Sequence, residues 1–517
     1  MRCVLSFDIG GTSLKGALIN AQGEIVALDF LKQRPPVPDL KGCCELDPEQ
    51  LWHDFKRLAG LVLSKSQATG IQIDGIVISA ITRTQIFLNK NGQSVRPAMT
   101  WADSRARDQA GRIASVVQTL DKRFRTFGPI NAYHPLARIL WLLEKEPQNF
   151  EQLYCVLEPK DYLNFRLTGA WAADEISLSR LTTIVDRKPA EELFSQLNLP
   201  IEIIPPLMSP QHCIGPVLSG LDSPFDRLAG VPVFAGSMDA WCASLGLGAL
   251  RPQYAYDISG TSEVLGVLSD SYEEIPGLVT LPWYLDLYQI GGPSQTGADC
   301  LRWYQEAFGS SHEGIDPGRV LQELEKRYRQ PEPIVFLPYL RGERTPLWDP
   351  DVRGLFFGIN RRHSSTDFIW AILEGVAFAG RQILELATKF RKISLHEVRI
   401  GGGAARSDLW CQIKSSIWKY SVTRMKEAES ALLGAAMVGY CGLAEYSSLD
   451  QAQAEMAHKD RSFEPSDGAW REHTKLYDLL YENFLEIQKA ALPLSRSLVQ
   501  RVHNHSDLIS YQQENAQ

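Results

Sequence analysis

The chain lacks any apolar run near the roughly 18 residues that cross a bilayer as a helix. Its opening, MRCVLSFDIGG, has no long apolar stretch of the signal-peptide kind. No membrane partner and a cytoplasmic location are therefore expected. No C-x-x-C occurs, and no Cys/His cluster has zinc-ligand spacing. The nine cysteines are scattered, apart from the vicinal pair Cys43–Cys44, and read as free thiols of a reducing compartment. Positive charge is not in excess either: 53 Lys and Arg face 61 Asp and Glu, for a net charge of −8. That balance argues against a nucleic-acid or anionic-membrane partner, while leaving room for a local basic pocket. A Walker A loop, G-x-x-x-x-G-K-[ST], is also absent.

What is present suits a large globular protein. The 517 residues exceed one ordinary core and fit two domains of roughly 200–250 residues. Cys3 to Ile9, Ala17 to Asn20 and Ile25 to Phe30 read as three strands joined by tight turns. The proline-rich stretch 34–38 breaks any regular element. Asp47 and Pro48 are the N-cap and first residue of a helix carrying Leu51, Trp52, Phe55, Leu58 and Val62 on one face. Gly75 to Ile81 is an interior strand. Leu136 to Glu144 and Lys160 to Leu167 are helical, and Val231 to Phe234 is a buried strand leading into a small-residue helix, Ala240 to Leu247. Beyond Arg251, the strand Gln253 to Ile258, the turn Ser259 to Ser262 and the strand Val264 to Leu268 echo DIGGTSLKGALIN, as a degenerate internal repeat would. Glu397 to Ile400 is a strand, Asp408 to Trp418 a helix, and Ala431 to Gly439 a small apolar helix fit for close packing. From Arg496 the chain turns polar and is expected to fray.

Three glycine-hydroxyl loops each follow a strand. They are Gly10-Gly11-Thr12-Ser13 with Lys15 close behind, Ser259-Gly260-Thr261-Ser262, and Gly401-Gly402-Gly403-Ala404. Glycine lets backbone N–H groups approach a phosphate, and hydroxyls add donors. The helix after the third loop adds a dipole suited to negative charge. One such loop is usually only a turn; three in one chain suggest a nucleotide site. Asp8, before the first loop, suits Mg²⁺ held through water, or else caps the turn. Asp239, at the end of a strand, is placed either as a base for a hydroxyl proton or as a helix N-cap. Trp101, Asp103 and Arg105 form a compact cluster: the indole can cover the apolar face of a polyol, and Asp103 can accept hydroxyl hydrogen bonds or pair with Arg105. Arg83 and Thr84 can add further polar contacts.

Together these stretches resemble the FGGY carbohydrate kinases. The likeness runs from about residue 1 to 460 and rests on FDIGGTSLKGALIN, GIVISAITRTQIFLNKNGQSVRPAMTWADSRA, EPKDYLNFRLTGAW, GSMDAWCASLGLGAL, DISGTSEVLG, LPYLRGERTPLWDPDVRGLFFGI, ILEGVAFAGRQILE and RIGGGAARSDLWCQI. It implies an α/β, actin-like ATPase fold of two RNase-H-like domains with an interdomain cleft. The domains would be 1–250, with the acceptor site and first phosphate loop; 251–460, binding the nucleotide; and 461–517, a helical extension and polar tail. It implies transfer of the ATP γ-phosphoryl group to a hydroxyl, expected to be terminal, of a small sugar or polyol, with a pentulose among the candidates. Position by position, Asp239 looks like the catalytic base and Asp8 like the residue near Mg²⁺. Gly11, Thr12 and Ser13 match the first phosphate loop, and Gly260 and Thr261 the second. Gly297 looks like a position near the phosphates and ribose, and Gly402, Gly403 and Ser407 match the adenosine loop. The acceptor pattern falls on Arg83, Thr84, Trp101, Asp103 and Tyr133. ATP and Mg²⁺ are the implied cofactors, and homodimers are common in that family.

Three positions depart from the pattern. Ala240 follows the expected base where Asn or Gln is usual, Thr84 stands where glycerol kinases have Glu, and ITRTQIF lacks the Met-His pair of xylulokinases. The departures argue against glycerol and D-xylulose as the acceptor. A catalytically silent sugar or nucleotide sensor on the same fold is the alternative, and an ATP-hydrolysing actin-like chaperone or filament protein the more remote one.

Overall fold

The computed structural model describes residues 1–33, 39, 42–67, 70–308, 321, 324, 333–389, 393–466 and 470–514. The proline-rich break at 34–38 and the last three residues of the polar tail lie outside them. The chain divides into two compact units. Unit 1 holds Met1–Leu250, Leu281–Tyr288 and Glu429–His458; unit 2 holds Arg251–Thr280, Gln289–Ala428 and Lys459–Gln517.

Unit 1 is built on a six-stranded sheet. Strands β1 (Arg2–Ile9), β2 (Ser13–Ile19) and β3 (Ile25–Lys32) form an antiparallel meander. Strand β4 (Gln72–Ala80) pairs parallel with β1, and β5 (Pro232–Phe234) pairs parallel with β4. β2 begins at Ser13, earlier than its apolar run suggests, because Leu14 is wholly buried and pairs with Ile9. The β4 run GIVISA is buried throughout, as a central strand covered on both faces requires. Helix α1 (Pro48–Gln67) starts where Asp47 accepts from the Glu49 N–H, and it lays Leu51, Phe55, Leu58 and Val62 on the sheet. Helices α2 (Pro135–Lys145), α3 (Pro159–Thr168) and α4 (Asp239–Gly246) follow the sequence pattern within a residue or two.

Unit 2 repeats the central motif. Strands β6 (Tyr254–Ser259) and β7 (Glu263–Ser269) make an antiparallel hairpin; β8 (Glu397–Gly401) pairs parallel with β6, and β9 (Val422–Met425) parallel with β8. Hairpin, parallel strand, parallel strand is also the order β2-β1-β4-β5 of unit 1. The echo between the two glycine-hydroxyl turns is thus an echo of topology. Helices α5 (Asp299–Phe308), α6 (Ser365–Lys389) and α7 (Asp408–Trp418) surround this sheet, with α6 contributing much of the core.

Helix α8 (Ser430–Gly442) belongs to unit 1 although it comes late in the chain. Its small residues permit backbone contact with α4. A Cβ on Gly434 would stand 1.8 Å from the Cys242 carbonyl oxygen, and one on Gly246 would stand 1.9 Å from that of Ser430. A Cβ on Gly439 would meet Val4 and Val77, so α8 also lies directly on β1 and β4. The polar end expected to fray from Arg496 instead continues as helix α9 (Trp470–Glu514), and Arg496 pairs with Asp349. That ion pair anchors the helix where the polar stretch begins.

Candidate active site

In unit 1 the parallel strands end on one edge, where ligands of α/β sheets gather. Asp8 is the penultimate residue of β1, Arg83 follows the end of β4, and Asp239 opens α4 just past β5, where Met238 bridges to Ala80. Asp239 is the first helical residue rather than the cap, which is Met238. Asp8 does not cap its turn: its Oδ1 is buried without a hydrogen-bond partner. Burial, and then the negative charge of Asp239, push the Asp8 carboxyl up to about 7, against the pull of Lys15. Lys15 stands opposite Asp8 in the β1–β2 register and also pairs with Glu429 at 2.5 Å. Of the first loop, Thr12 is exposed, its carbonyl accepting from the Gln33 N–H, and the Ser13 carbonyl closes the turn by accepting from the Gly10 N–H at 3.0 Å.

Arg83 sits with φ at +58°, a conformation a non-glycine residue adopts only under constraint. The constraint is visible on both sides of the residue. Its N–H donates to Glu158 Oε1 at 2.7 Å, and its carbonyl accepts from Arg138. Its guanidinium feels Asp239 first, then Glu158 and Tyr133, while burial lowers its pKa. Trp101 joins the group, since a Cβ on Gly11 would lie 3.5 Å from its indole nitrogen. Asp8, Gly11, Arg83, Trp101, Tyr133 and Asp239 are thus brought together.

Two expected acceptor residues stand behind that surface. Thr84 is wholly buried, its hydroxyl oxygen accepting from the Trp101 N–H at 3.2 Å. Asp103 is also wholly buried. It accepts from the Cys44 N–H, the Arg105 N–H and the Arg105 guanidinium at 2.7–3.1 Å. With its oxygens so occupied, Asp103 braces the Trp101 turn and has none to offer a sugar hydroxyl, contrary to the expectation.

In unit 2, Gly297 packs on the second loop: a Cβ there would fall 2.8 Å from the Gly260 oxygen. The Ala298 N–H donates to that same oxygen and the Asp299 N–H to Thr261 O, tying the start of α5 to the loop. Gly402, with φ at +86°, lies against Ser259, whose oxygen would be 2.5 Å from a Cβ. Gly260, Thr261, Gly297 and Gly402 therefore converge. Gly403 is open, with no atom within 4 Å of a Cβ built on it. The Ser407 hydroxyl accepts from the Trp410 N–H as the N-cap of α7.

Several buried charges escaped sequence reasoning. Lys414, on α7, is wholly buried; its ammonium donates to Asp257 and Ser259 at 2.5 Å and also to Glu263, joining both ends of the second loop. Burial and Glu263 push the Asp257 carboxyl up, against Lys414. In unit 1, Glu158, Arg138 and Arg180 form the floor behind Arg83. A charged residue inside an amphipathic helix reads as solvated, and only a partner on a distant strand shows otherwise; EPKDYLNF, with glutamate before the helix proline, was the single local hint.

Among the described residues, no group of three or more His, Cys, Asp or Glu could hold a metal directly, and no helix is long and apolar enough to cross a membrane. Paired phosphate-type loops on a duplicated hairpin, with acids at the sheet edge, define an ATP-dependent phosphotransferase of the α/β actin-like ATPase fold. Two family models match: the N-terminal domain of the FGGY family of carbohydrate kinases over residues 3–246, and its C-terminal domain over residues 255–443. The chain belongs to the FGGY family of carbohydrate kinases, which are ATP-dependent enzymes. It is similar to the xylulose kinase of Bacillus subtilis (strain 168), 28% identical over 93% of this chain and 96% of that one. It is also similar to the gluconokinase of the same organism, 27% identical over 92% and 94%. Among solved structures, gluconate kinase from Lactobacillus acidophilus shares the fold with a TM-score of 0.83, at 23% identity over 95% of this chain and 98% of that one. Plasmodium falciparum glycerol kinase with ADP shares it with a TM-score of 0.82, at 21% identity over 95% and 98%.

Proposed function

We propose that Asp239 is the base that takes the proton of the acceptor hydroxyl as the γ-phosphoryl group of ATP transfers in line. Unit 1 binds the acceptor, a small polyhydroxylated sugar or its derivative, through Arg83, Tyr133 and the indole face of Trp101. Thr84 and Asp103 keep Trp101 in place from behind. In unit 1 the backbone N–H groups and hydroxyls of Gly11 to Ser13 are phosphate-binding groups, and in unit 2 those of Gly260 and Thr261 are. Gly297 and Gly402 allow close approach, and Gly403 and Ser407 border the adenosine. A terminal hydroxyl is the expected site of transfer, since it is the least crowded. An enzyme that consumes ATP belongs in the cytoplasm.

Asp8 fits Mg²⁺ through its water. A single unpartnered carboxylate without a cage of ligands suits an ion that keeps most of its hydration shell. When bound, the ion would neutralise charge on the phosphates. The carrying observation is the pair Asp8 and Asp239 at one strand edge, where burial first and then the charge of Asp239 raise the Asp8 carboxyl to about 7. Asp239→Asn is expected to lower kcat by about 10²- to 10⁴-fold while ATP binding, read by calorimetry, stays within about threefold. Near-normal turnover in that variant would remove Asp239 from the role.

A further inference from the structure

The stretch after Tyr339 reads LRGERTP, residues 340–346, and holds a carboxylate that the transfer itself does not use. Glu343 is 3% exposed. Burial pushes its carboxyl up from 4.5 to about 7, against the hydrogen bonds it accepts. Those bonds converge on three consecutive residues. Glu343 Oε2 accepts from the Ser294 hydroxyl at 2.9 Å and the Thr296 hydroxyl at 3.3 Å. Its Oε1 accepts from the Gln295 N–H and from the neighbouring Arg344 N–H, both at 2.7 Å. The residues beside it reach the same place: Arg344 Nη2 donates to Ser294 O at 2.7 Å, and the Thr345 N–H to Pro293 O at 3.1 Å. From behind, the Glu343 backbone exchanges two hydrogen bonds with that of Asp349, at 2.8 and 2.9 Å, and the Asp349 carboxylate pairs with Arg496 of α9.

The link 294–298 so clasped lies along the second glycine-hydroxyl loop of the same unit. Backbone bonds tie it to both sides of that loop: the Ser294 N–H donates to Glu263 O at 2.8 Å, and the Ala298 N–H to Gly260 O at 2.9 Å. Between these ties stands Gly297, which lies on Gly260 and Ser262 because it has no Cβ. A shift of residues 294–296 therefore shifts the loop. A buried carboxylate costs stability that an apolar side chain of like size would not. What it supplies here is shape: two oxygens in one plane fix three successive residues, which an apolar contact does not do.

We propose that Glu343 is a positioning residue for the nucleotide: it holds the link 294–298 so that Gly260, Thr261 and Gly297 present one fixed phosphate-binding surface. The loop meets the phosphates, and Glu343 acts through the loop. This inference rests on the reading of Gly260 and Thr261 as phosphate-binding groups. In Glu343→Gln the amide oxygen still accepts from the two N–H groups, and the amide nitrogen donates to a hydroxyl that turns to accept. In Glu343→Ala every one of these bonds is lost.

The test is calorimetric titration of the full-length enzyme with the magnesium complex of the non-hydrolysable ATP analogue AMP-PNP. Glu343→Ala is expected to weaken binding at least about tenfold, the lower end of the range for hydrogen bonds to a charged group. Glu343→Gln should stay within about threefold of the wild type. Leu480→Ala, a core truncation on α9, lowers the melting temperature as a control and should leave the affinity within about twofold. An unchanged affinity in Glu343→Ala, an equal loss in Glu343→Gln, or an equal loss in Leu480→Ala overturns the positioning role. Should Glu343→Ala fail to fold, Ser294→Ala combined with Thr296→Val removes two of the four bonds and decides instead: a loss of about threefold or more supports the role, and an unchanged affinity overturns it. Thr261→Val and Gly297→Ala report on the loop itself. If neither moves the affinity, the phosphate reading of the loop falls and this inference with it; if they do and Glu343→Ala does not, only the positioning role falls.

Discussion

The hairpins β1–β2 and β6–β7 carry nearly the same words, DIGGTS and DISGTS, in the same topology, yet their aspartates have opposite fates. Asp257 is locked by the buried ammonium of Lys414, which also holds Ser259 and Glu263. Asp8 has a buried oxygen with no partner, and the lysine opposite it is drawn toward Glu429. One duplicated unit has therefore become a rigid frame and the other a site that waits for a ligand. An unmet carboxylate in a structure otherwise rich in satisfied charge marks where chemistry belongs.

The comparison can be broken most directly at Lys414. Lys414→Met leaves two buried carboxylates facing each other and should cost about 3–5 kcal/mol of stability in urea unfolding. A loss under about 1 kcal/mol would mean that the frame is not a frame. Next in size, Asp8→Asn should lower kcat by at least about 100-fold without lowering the melting temperature, because it removes a buried charge that faces Asp239. Equal damage to activity and stability would erase the distinction between the hairpins.

A pH series sharpens it further. Glu158, behind the unit 1 edge, has its carboxyl raised to about 8 from 4.5. Such a group gives stability that is fully present below about 4.5 and is lost as the pH rises through about 8. The wild-type melting temperature should therefore fall across that window more than that of Glu158→Gln. Parallel curves would show that Glu158 does not titrate there. The smallest effect concerns the loops themselves. Gly297→Ala presses on the Gly260 oxygen, 2.8 Å from where its Cβ would stand, and should raise the KM for ATP severalfold.

Local signals made most of this legible. Strand edges, the Asp47 cap, the duplicated turn and the loop glycines all rest on neighbours within a few residues, where spacing and side-chain chemistry suffice. Asp8 and Asp239 were visible as acids at strand ends, but on spacing alone each remained as ready to be a cap as a ligand. Asp103 read as an acceptor for a sugar hydroxyl, or a partner of Arg105, because nothing local says that Cys44, 59 residues away, donates to it. Lys414 and Arg180 were invisible for the same reason: burial of a charge is decided by partners far along the chain. Pattern shows where the backbone goes, and long-range pairing decides which charges are spent on structure.

The glycine contact between α4 and α8 bears on how the protein is made. Residues Ser430–Gly442 cover the central strands of a unit whose first strand leaves the ribosome several hundred residues earlier. Until that late helix emerges, β1 and β4 present bare valines to the cell. Synthesis of the N-terminal unit therefore passes through a long, sticky interval. A fragment ending near Leu250 should need the missing helix supplied in trans before it stays in solution.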